Sequence, residues 1–473
     1  SVIGTLIGIL PGVGPVAGTA LLLPVTFKME ATSAIIMLTS IYYGAMYGGT
    51  LTSVLVNVPG EAASAITCID GHEMAKRGRA GSALAVSAIG SFVGGMVAIA
   101  GLVLLAGPLT RLALLFGPPE FFALMLVGLS LVIGLAGKSV ALALASAVLG
   151  LLIAMVGIDP VMGAPRFTFG NVNLMGGIDV VVVAMGLFGV GEILVALERE
   201  AASSVIATRL RELMPTRDEA RRSVAPIARG TAIGFLLGLV PGIGAVVPTI
   251  MSYVAERRLS ATPEKFGTGM IEGVAGPETA NNAYANAALI PLLTLGIPGS
   301  PTVAIIMGAF MMKNIIPGPF LFEQHADVAW GVIGSFVVGN VILLVLNLPL
   351  IPLWVRFLRI PRAALFTLIL ACCVIGAYAA NGQVFDVGLL CLFGVVGYAF
   401  KKLDVPVAPM ILTLILGPLM EQSLRQSLEI SRGDFMVFLE RPIALAFVVV
   451  ACAVVAASTL RILSAVRGQD SEL

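Results

Sequence analysis

The sequence predicts an all-α membrane protein that crosses the bilayer many times and is built from two inverted-topology repeats. Three observations lead to this fold class. Of the 473 residues, 58% are hydrophobic and only 12% are charged, whereas soluble domains carry about 25% charged residues. Apolar runs of roughly 20 residues, the length of a membrane-spanning helix, recur along the chain. Several motifs also occur twice in the same order.

The repeated motifs divide the chain into two halves. "GTLIGILPGVGP" at 4–15 resembles "GFLLGLVPGIGA" at 234–245, and "VNVPGEAASA" at 56–65 resembles "LGIPGSPTVA" at 295–304. Three further matches follow in the same order, so a duplication is the best interpretation. We therefore predict a first transmembrane repeat at 1–198, a basic cytoplasmic linker at 199–229 and a second transmembrane repeat at 230–473.

The charged loops predict that the two repeats have opposite orientations. The linker is the most basic loop, which places it on the cytoplasmic side. In most pairs of equivalent loops one copy is basic and the other is not, as in 70–80 against 313–327 and 28–30 against 256–265. The net charge of +1 gives no basic field for a nucleic-acid partner.

The predicted elements follow from the apolar runs and their interruptions. Pro-Gly pairs break the runs at 4–27 and 230–255, and we predict re-entrant hairpins there, because only then do Arg229 and Arg257 lie on one side. The segment 405–441, with three prolines and then a charged stretch, predicts a re-entrant or interfacial piece followed by an amphipathic helix. With the second repeat this makes about 10–12 membrane segments. The full crossings predicted in the first repeat are 31–69, 82–107, 120–137, 139–157 and 178–197.

Discontinuous helices predict the functional site. Pro11-Gly12-Val13-Gly14 matches Pro241-Gly242-Ile243-Gly244, and Asn57-Val58-Pro59-Gly60 matches Gly296-Ile297-Pro298-Gly299. Unpaired backbone groups in lipid cost several kcal/mol each, so such breaks line protein or a water-filled cavity. Freed N–H groups suit an anion and freed carbonyls suit Na⁺. The candidate substrate- and ion-binding residues are Gly12, Gly14, Thr52, Ser53, Asn57, Pro59, Gly60, Gly242, Gly244, Asn281, Asn282, Thr294, Pro298, Gly299 and Ser300.

Two glutamates beside these breaks, Glu61 and Glu278, are candidates for coupling to an ion gradient, because ionisable residues inside membrane spans are functional candidates. The alternative is that Glu278 is a polar residue at a helix end. A Na⁺ site is compatible with the polar clusters, but its ligands are not defined by the sequence.

An enzyme is not predicted. The two histidines, His72 and His325, lack the spacing of a metal site. The nucleophile elbow G-x-S-x-G is absent, and "GLAGKS" at 134–139 lacks the first glycine of a phosphate loop. We expect no catalytic residue and no cofactor beyond Na⁺ or H⁺ as a coupling ion.

The motifs resemble those of the large permease subunit of the tripartite tricarboxylate transporters. The resemblance is carried by "GILPGVGP", "YYGAMYGGTLTSVLVNVPGEAAS", "IDGHEMAKRGRAGSALA", "PRFTFG" and "EGVAGPETANNA" with "IPLLTLGIPGS", over about 4–441. It implies a multi-pass permease of the bacterial inner membrane that works with a small four-helix membrane subunit and a periplasmic solute-binding protein. It also implies an organic carboxylate substrate, such as citrate, and an ion gradient as the energy source.

Two alternatives stay open at this point. One is an autonomous ion-coupled carboxylate symporter or exchanger without partner subunits. The other is a membrane scaffold subunit that transports nothing, against which the paired helix breaks argue. The family usually has a further apolar segment ahead of "GTLIGILPG", and the sequence leaves open whether a leading helix precedes residue 1.

Overall fold

A computed structural model describes residues 1–10, 14–135, 139–159, 162–198, 214–357 and 362–469. Gly12 and most of the basic linker lie outside the described residues. The helices of the first half are α1 Val2–Ile9, α2 Gly14–Leu22, α3 Ala31–Val56, α4 Ala65–Lys76, α5 Ala80–Ala113, α6 Pro118–Leu135, α7 Val140–Ala154, α8 Val180–Ala184 and α9 Gly191–Glu198. A π-helical segment, Met185–Val190, joins α8 to α9.

The second half is also helical. Its helices are α10 Arg217–Gly238, α11 Val246–Leu259, α12 Glu272–Ala287, α13 Leu289–Leu295, α14 Pro301–Met312, α15 Leu321–Gln324, α16 Ala326–Asn347, α17 Ile351–Phe357, α18 Arg362–Asn381, α19 Val384–Lys402, α20 Ala408–Ile430, α21 Val437–Glu440 and α22 Pro442–Gln469. The described strands, β1 Gly157–Ile158 and β2 Pro165–Arg166, form a short antiparallel hairpin in which Gly157 pairs with Arg166.

Four helices in the described part of the chain are long and apolar enough to cross a membrane: Ala80–Ala113, Val180–Glu198, Ala326–Asn347 and Val384–Lys402. Several shorter apolar helices accompany them. The prediction of a helical, multi-pass membrane protein is therefore confirmed. The re-entrant hairpins, the inverted orientation of the two halves and the total of membrane segments stay predictions.

Glycines bring α1 into close contact with α3. A Cβ atom at Gly4 would lie 2.6 Å from the carbonyl oxygen of Ile41, and one at Gly44 would lie 2.8 Å from that of Ser1. Gly8 and Gly48 meet the facing backbone one turn further along. The spacing of four residues places each glycine pair on one helix face. Small residues at this spacing let the backbones of membrane helices approach closely.

The second half uses the same device between α10 and α12. Glycines at 230, 234 and 238 face the backbone of α12, where Ala280 lies opposite Gly234. The helices α3 and α12 also pack against each other, and α12 contacts α5 and α11 as well. The helix α3, which ends at the first break, and the polar helix α12 therefore lie side by side in the core.

Two elements differ from the predictions. The helix α10 begins at Arg217, so the last part of the predicted linker is helical and the predicted boundary at 229/230 falls inside it. The reason is a capping box, in which Thr216 and Glu219 satisfy each other's backbone N–H groups. The prediction of two pieces in 405–441 is wrong up to residue 430, because α20 is one continuous helix that contains Pro418.

The helix breaks predicted at 57–60 and 296–299 are both present. Between α3 and α4 the chain leaves the helix at Asn57, whose φ of 58° is left-handed. Between α13 and α14 it leaves at Gly296, with φ of 72°. A left-handed residue after the last turn is a common way to end a helix, and Asn and Gly adopt it most readily. Asn57 and Gly296 are thus equivalent as helix caps.

Candidate functional site

The helix breaks of the two halves meet at one cavity of about 830 Å³. Of the sequence-predicted residues, those in its wall are Gly14, Pro59, Gly60, Glu61, Gly244 and Ser300. Gly14 and Gly244 follow the two Pro-Gly breaks, and both have positive φ. The prediction that all four breaks contribute to one place is consistent with this geometry, although the role of each residue stays a prediction.

Several helices begin at this cavity. Its wall includes the first residues of α2, α14 and α20, and Ala245 and Val246 at the start of α11. The first backbone N–H groups of a helix have no partner within the helix. They carry a partial positive charge that favours anions. The convergence of four helix N-termini makes this cavity electrostatically suited to a negatively charged molecule.

Ionisable and hydroxyl groups complete the wall. Lys401 of α19 forms an ion pair with Glu192 of α9, so the two charges balance. Tyr42 of α3 lines the cavity, yet its hydroxyl has no hydrogen-bond partner among the described residues and the side chain is fully buried. Glu61 adds a carboxyl group, to which the Asn281 amide donates and for which no ion pair is found among the described residues. The cavity wall therefore contains one hydroxyl without a protein partner and one carboxyl group without a cation beside it.

One carbonyl connects two of the breaks. The oxygen of Gly299 accepts hydrogen bonds from the Gly242 N–H at 3.0 Å and from the Tyr284 hydroxyl at 3.1 Å. A Cβ atom at position 299 would lie 3.2 Å from the Ala288 carbonyl oxygen. The hydrogen bond between Gly242 and Gly299 thus joins the turn after α10 to the break before α14. Pro298 next to them is buried outside the cavity wall.

Three predicted hydroxyl residues bond to the backbone behind the cavity. Thr52 and Ser53 both donate to the carbonyl of Gly49, at 3.1 Å and 3.0 Å. Thr294 donates to the carbonyl of Ile290 at 2.7 Å. These bonds satisfy the hydroxyls within their own helices, and none of the three lines the cavity.

Asn57 differs most from its predicted role. Its side chain is exposed and lies outside the cavity wall. As described above, its backbone ends α3. The sequence signal that suggested a ligand, a polar residue before Pro-Gly, is explained by this capping position.

A buried polar cluster lies between α12 and the first break. Glu278 accepts hydrogen bonds from the hydroxyls of Thr50, at 2.6 Å, and Thr67. The amide of Asn281 donates to Glu61 at 2.6 Å. All of these side chains are buried, and Glu61 belongs both to this cluster and to the cavity wall.

A second part of the cluster continues along α12. The amide of Asn282 donates to Ser91 of α5 at 2.7 Å, and Asn286 donates to the carbonyl of Asn282 at 2.9 Å. The side-chain oxygens of Asn281 and Asn282 have no hydrogen-bond partner in the described structure. No group of three metal-binding acidic, Cys or His side chains occurs among the described residues.

Sequence reasoning missed Tyr42, Tyr284 and the Lys401–Glu192 pair. Tyr42 belongs to the polar segment 42–64, so a hydroxyl so close to the glycines of α3 was an available signal. Lys401 and Glu192 lie more than 200 residues apart, and no local pattern relates them.

The chain is similar to known proteins along most of its length. The model of the tripartite tricarboxylate transporter TctA family matches residues 1–412. An uncharacterized 52.8 kDa protein in the TAR-I ttuC' 3' region of Agrobacterium vitis is 48% identical over 456 residues, which cover 96% of this chain and 91% of that protein. An uncharacterized protein in the TAR-II ttuC' 3' region of the same organism is 48% identical over 211 residues, 45% of this chain and 87% of that protein. No solved structure matches the chain.

Proposed function

Since the chain belongs to the tripartite tricarboxylate transporter TctA family, we propose that it is the large permease subunit of a secondary transporter that imports organic carboxylates. Its family is one of membrane transporters. The observation that carries the proposal is the meeting of four helix N-termini at one cavity between the broken helices. Discontinuous helices of this kind form the substrate sites of many secondary transporters.

The chemistry of the cavity supports a carboxylate as the substrate. Helix N-termini supply N–H donors without a full positive charge, which suits carboxylate oxygens. The free hydroxyl of Tyr42 adds a donor in the same wall. The volume of about 830 Å³ is in the usual range for small-molecule sites, about 300–1,000 Å³. Di- and tricarboxylates of the size of citrate are therefore the proposed class.

The charge of such a substrate requires coupling to cations. Moving one negative charge inward costs about 2.3 kcal/mol per 100 mV. A trianion at about 150 mV therefore faces roughly 10 kcal/mol. Import into a cell with a negative interior needs more positive charge than the substrate carries as negative charge. We propose that Na⁺ or H⁺ supplies it.

The family also suggests the setting of this subunit. We propose that it lies in the bacterial inner membrane as a multi-pass protein. A periplasmic solute-binding protein would deliver the carboxylate, and a small four-helix membrane subunit would complete the assembly. We propose these partners because the family is one of tripartite transporters. The proposal does not rest on any contact in the structure.

Transport by reconstituted protein tests the proposal. Proteoliposomes that contain the chain and its two partners should take up labelled citrate or another di- or tricarboxylate. The trimethyl ester of the same compound should not compete, because it lacks the negative charges that helix N-termini favour. Equal competition by the ester, or no uptake of any carboxylate tried, would contradict the proposed function. Uptake that needs no binding protein would favour an autonomous symporter instead.

A further inference from the structure

Two buried carboxylates of the polar cluster have no cation beside them among the described residues. Glu278 is 1% exposed and Glu61 is 7% exposed. Two other buried glutamates of the described chain do have one, since Glu120 pairs with Arg441 at 2.6 Å and Glu256 pairs with Arg229. Asp70, which is also buried, is instead satisfied by three backbone N–H groups and the Tyr253 hydroxyl. Removing a carboxylate from water costs several kcal/mol unless a partner compensates. Some positive charge is therefore expected at the unpaired carboxylates.

The hydrogen-bond donors divide unequally between the two. Both oxygens of Glu278 accept a threonine hydroxyl. Glu61 accepts from one neutral donor, the Asn281 amide. A single neutral hydrogen bond contributes about 1 kcal/mol, much less than the cost of burial. Glu61 is thus the carboxylate in greater need of a cation.

Asn281 provides a second, independent observation. Its amide nitrogen lies 2.6 Å from Glu61, while its amide oxygen is fully buried and has no partner among the described residues. An unsatisfied buried acceptor costs about 1–3 kcal/mol. Asn281 thus brings an unsatisfied acceptor next to a carboxylate without a cation. A Na⁺ ion can take an oxygen ligand from each of them, and a proton on Glu61 can bond to the amide oxygen when the Asn281 amide is turned so that this oxygen faces Glu61.

The place of Glu61 relates this ligand to the substrate. Glu61 lines the cavity, and Gly49 of α3 makes room for it, because a Cβ atom at Gly49 would lie 3.0 Å from the Glu61 Cγ. Glu278 lies on the same face of α12 as Asn281, three residues before it. Opposite charges a few ångströms apart attract strongly where water is scarce. A cation at Glu61 therefore favours an anion in the cavity, and the reverse.

We propose that Glu61 and Asn281 bind the monovalent cation, H⁺ or Na⁺, that moves together with the substrate. The coupling of the cation to the substrate rests on the proposed function, whereas the cation site itself rests on the contacts of Glu61 and Asn281. The titratable side chains that interact with Glu61 are Tyr42 from α3 and Glu278 from α12. Cys68 of α4 bonds to the Ser64 carbonyl, and Tyr284, Glu192 and Lys401 lie in the same cavity wall as Glu61. The cation among these residues, Lys401, is paired with Glu192 and not with Glu61. The helix α1 contributes only its backbone.

Cation binding by the purified chain tests the site without reference to transport. The thermal midpoint in detergent is measured in NaCl against choline chloride at one ionic strength, and at acidic against alkaline pH. Because a ligand that binds the native state stabilises it, the wild type should respond to Na⁺ if the cation is Na⁺ and to acid if it is H⁺. Glu61→Gln should lose that response. A wild type that responds to neither, or a variant with the same response, would overturn the inference.

Transport then tests the coupling. The glutamine side chain of Glu61→Gln resembles a neutralised glutamate, and its amide can donate to the oxygen of Asn281. Glu61→Gln should therefore exchange labelled carboxylate across the membrane but fail to accumulate it when a cation gradient is imposed. Glu120→Gln, which changes another buried glutamate, should leave the ratio of accumulation to exchange unchanged. If Glu61→Gln still accumulates substrate, the proposed coupling is wrong; if it folds but cannot exchange, Glu61 binds substrate instead.

Discussion

Two tyrosines about one and a half turns apart on α3 differ in whether their hydroxyl groups are hydrogen-bonded. The hydroxyl of Tyr42 has no partner in the described structure and lies at the cavity. The hydroxyl of Tyr47 donates to the side-chain oxygen of Asn340 at 3.0 Å. A buried hydroxyl without a partner destabilises the native state, whereas a bonded one stabilises it by about 1 kcal/mol. Tyr42 therefore lowers the stability of the substrate-free protein, and its proposed role as a hydrogen-bond donor to the carboxylate explains this cost.

Tyr42→Phe should stabilise the substrate-free protein by about 1 kcal/mol, because it removes an unsatisfied hydroxyl. It should also raise the KM for carboxylate, since a donor of the site is lost. Thermal unfolding in detergent and uptake kinetics measure the two effects. Tyr47→Phe is the matched variant and should destabilise the protein, because the Asn340 oxygen loses its donor. The same sign of stability change in both variants would contradict this account.

Gly60 lies where the first break touches both α1 and α3. A Cβ atom there would approach the carbonyl oxygen of Gly8 and lie 2.6 Å from the Cα of Gly49. Gly60→Ala should destabilise the protein by about 1–3 kcal/mol, the usual cost of overpacking. Gly334→Ala is the control, because nothing lies within 4 Å of that position and alanine favours a helix by up to about 1 kcal/mol. Thermal unfolding of both variants decides whether close packing at Gly60 matters.

At this scale the structure brings several of the predicted segments to one cavity, while the binding role of each residue stays a prediction. Gly14, Gly60, Glu61, Gly244 and Ser300 lie in the cavity wall as expected for a site. Asn57 does not, because a sequence shows that a residue is polar and not whether its backbone ends a helix. Thr52 and Ser53 show the same difficulty, since a hydroxyl can bond to its own helix.

At the scale of the element, the start of α10 shows how charge fixes a helix end. Glu219 caps the helix and also accepts from Ser82 of α5 at 2.7 Å, beside the guanidinium of Arg79. Burial raises the pKa of Glu219, but the hydrogen bonds from Ser82 and Thr216 and the charge of Arg79 outweigh it. The pKa of Glu219 therefore lies below its usual value.

This lowered pKa makes the contribution of Glu219 depend on pH. A carboxylate with a lower pKa in the folded state stabilises that state above its unfolded pKa, about 4.3. The contribution is lost as the pH falls through the folded-state pKa. Glu219→Gln keeps the cap and removes the charge, so it should be less stable than the wild type at pH 7, with a difference that shrinks below about pH 4. Thermal midpoints over this range measure the difference, with Glu264→Gln at an exposed position as the control.

The limits of α10 and α20 could be predicted only in part. The capping residues of α10 are a visible local pattern, yet the basic composition of 199–229 favoured a loop. The helix α20 continues through Pro418 because its neighbours α6 and α7 pack along it, and such tertiary contacts are not written in the local sequence.

At the scale of the whole molecule, the cavity wall extends to the last turns of α9 and α19. Its wall includes Val195 and Ala196, close to the end of α9 at Glu198, and Lys401 near the end of α19. The linker follows α9 in the sequence, so if it is cytoplasmic, as the positive-inside rule predicts, we expect this side of the cavity to face the cytoplasm. The periplasmic partner would then meet the opposite face.

Cysteine labelling tests this orientation and the inverted repeat together. The end of α4 at Lys76 lies close to Arg79, which binds Glu219 beside the linker. Lys313 at the end of α14 instead bonds to the carbonyl of Phe27, at 3.0 Å, near the start of α3. In a variant without the five native cysteines, Lys313→Cys should react with an impermeant reagent in intact cells, and Lys76→Cys only after permeabilisation. Labelling of both from the same side would contradict the inverted topology.

The duplication and the membrane class were visible in the sequence, because composition and repeated motifs extend over the whole chain. The way the four breaks meet was an inference from symmetry, and the cavity is consistent with it. The partners of Glu278 were not predictable, because Thr50 and Thr67 lie more than 200 residues away from it.

The carbonyl of Gly299, which bonds to both Gly242 and Tyr284, has a mechanical consequence. If the turn after α10 were to separate from the break before α14, this oxygen would lose a donor within the membrane, where no water replaces it. We therefore expect the turn after α10 and the break before α14 to move as one rigid unit during a transport cycle. We also expect any hinge that opens the cavity to lie outside the contact among Gly299, Gly242 and Tyr284.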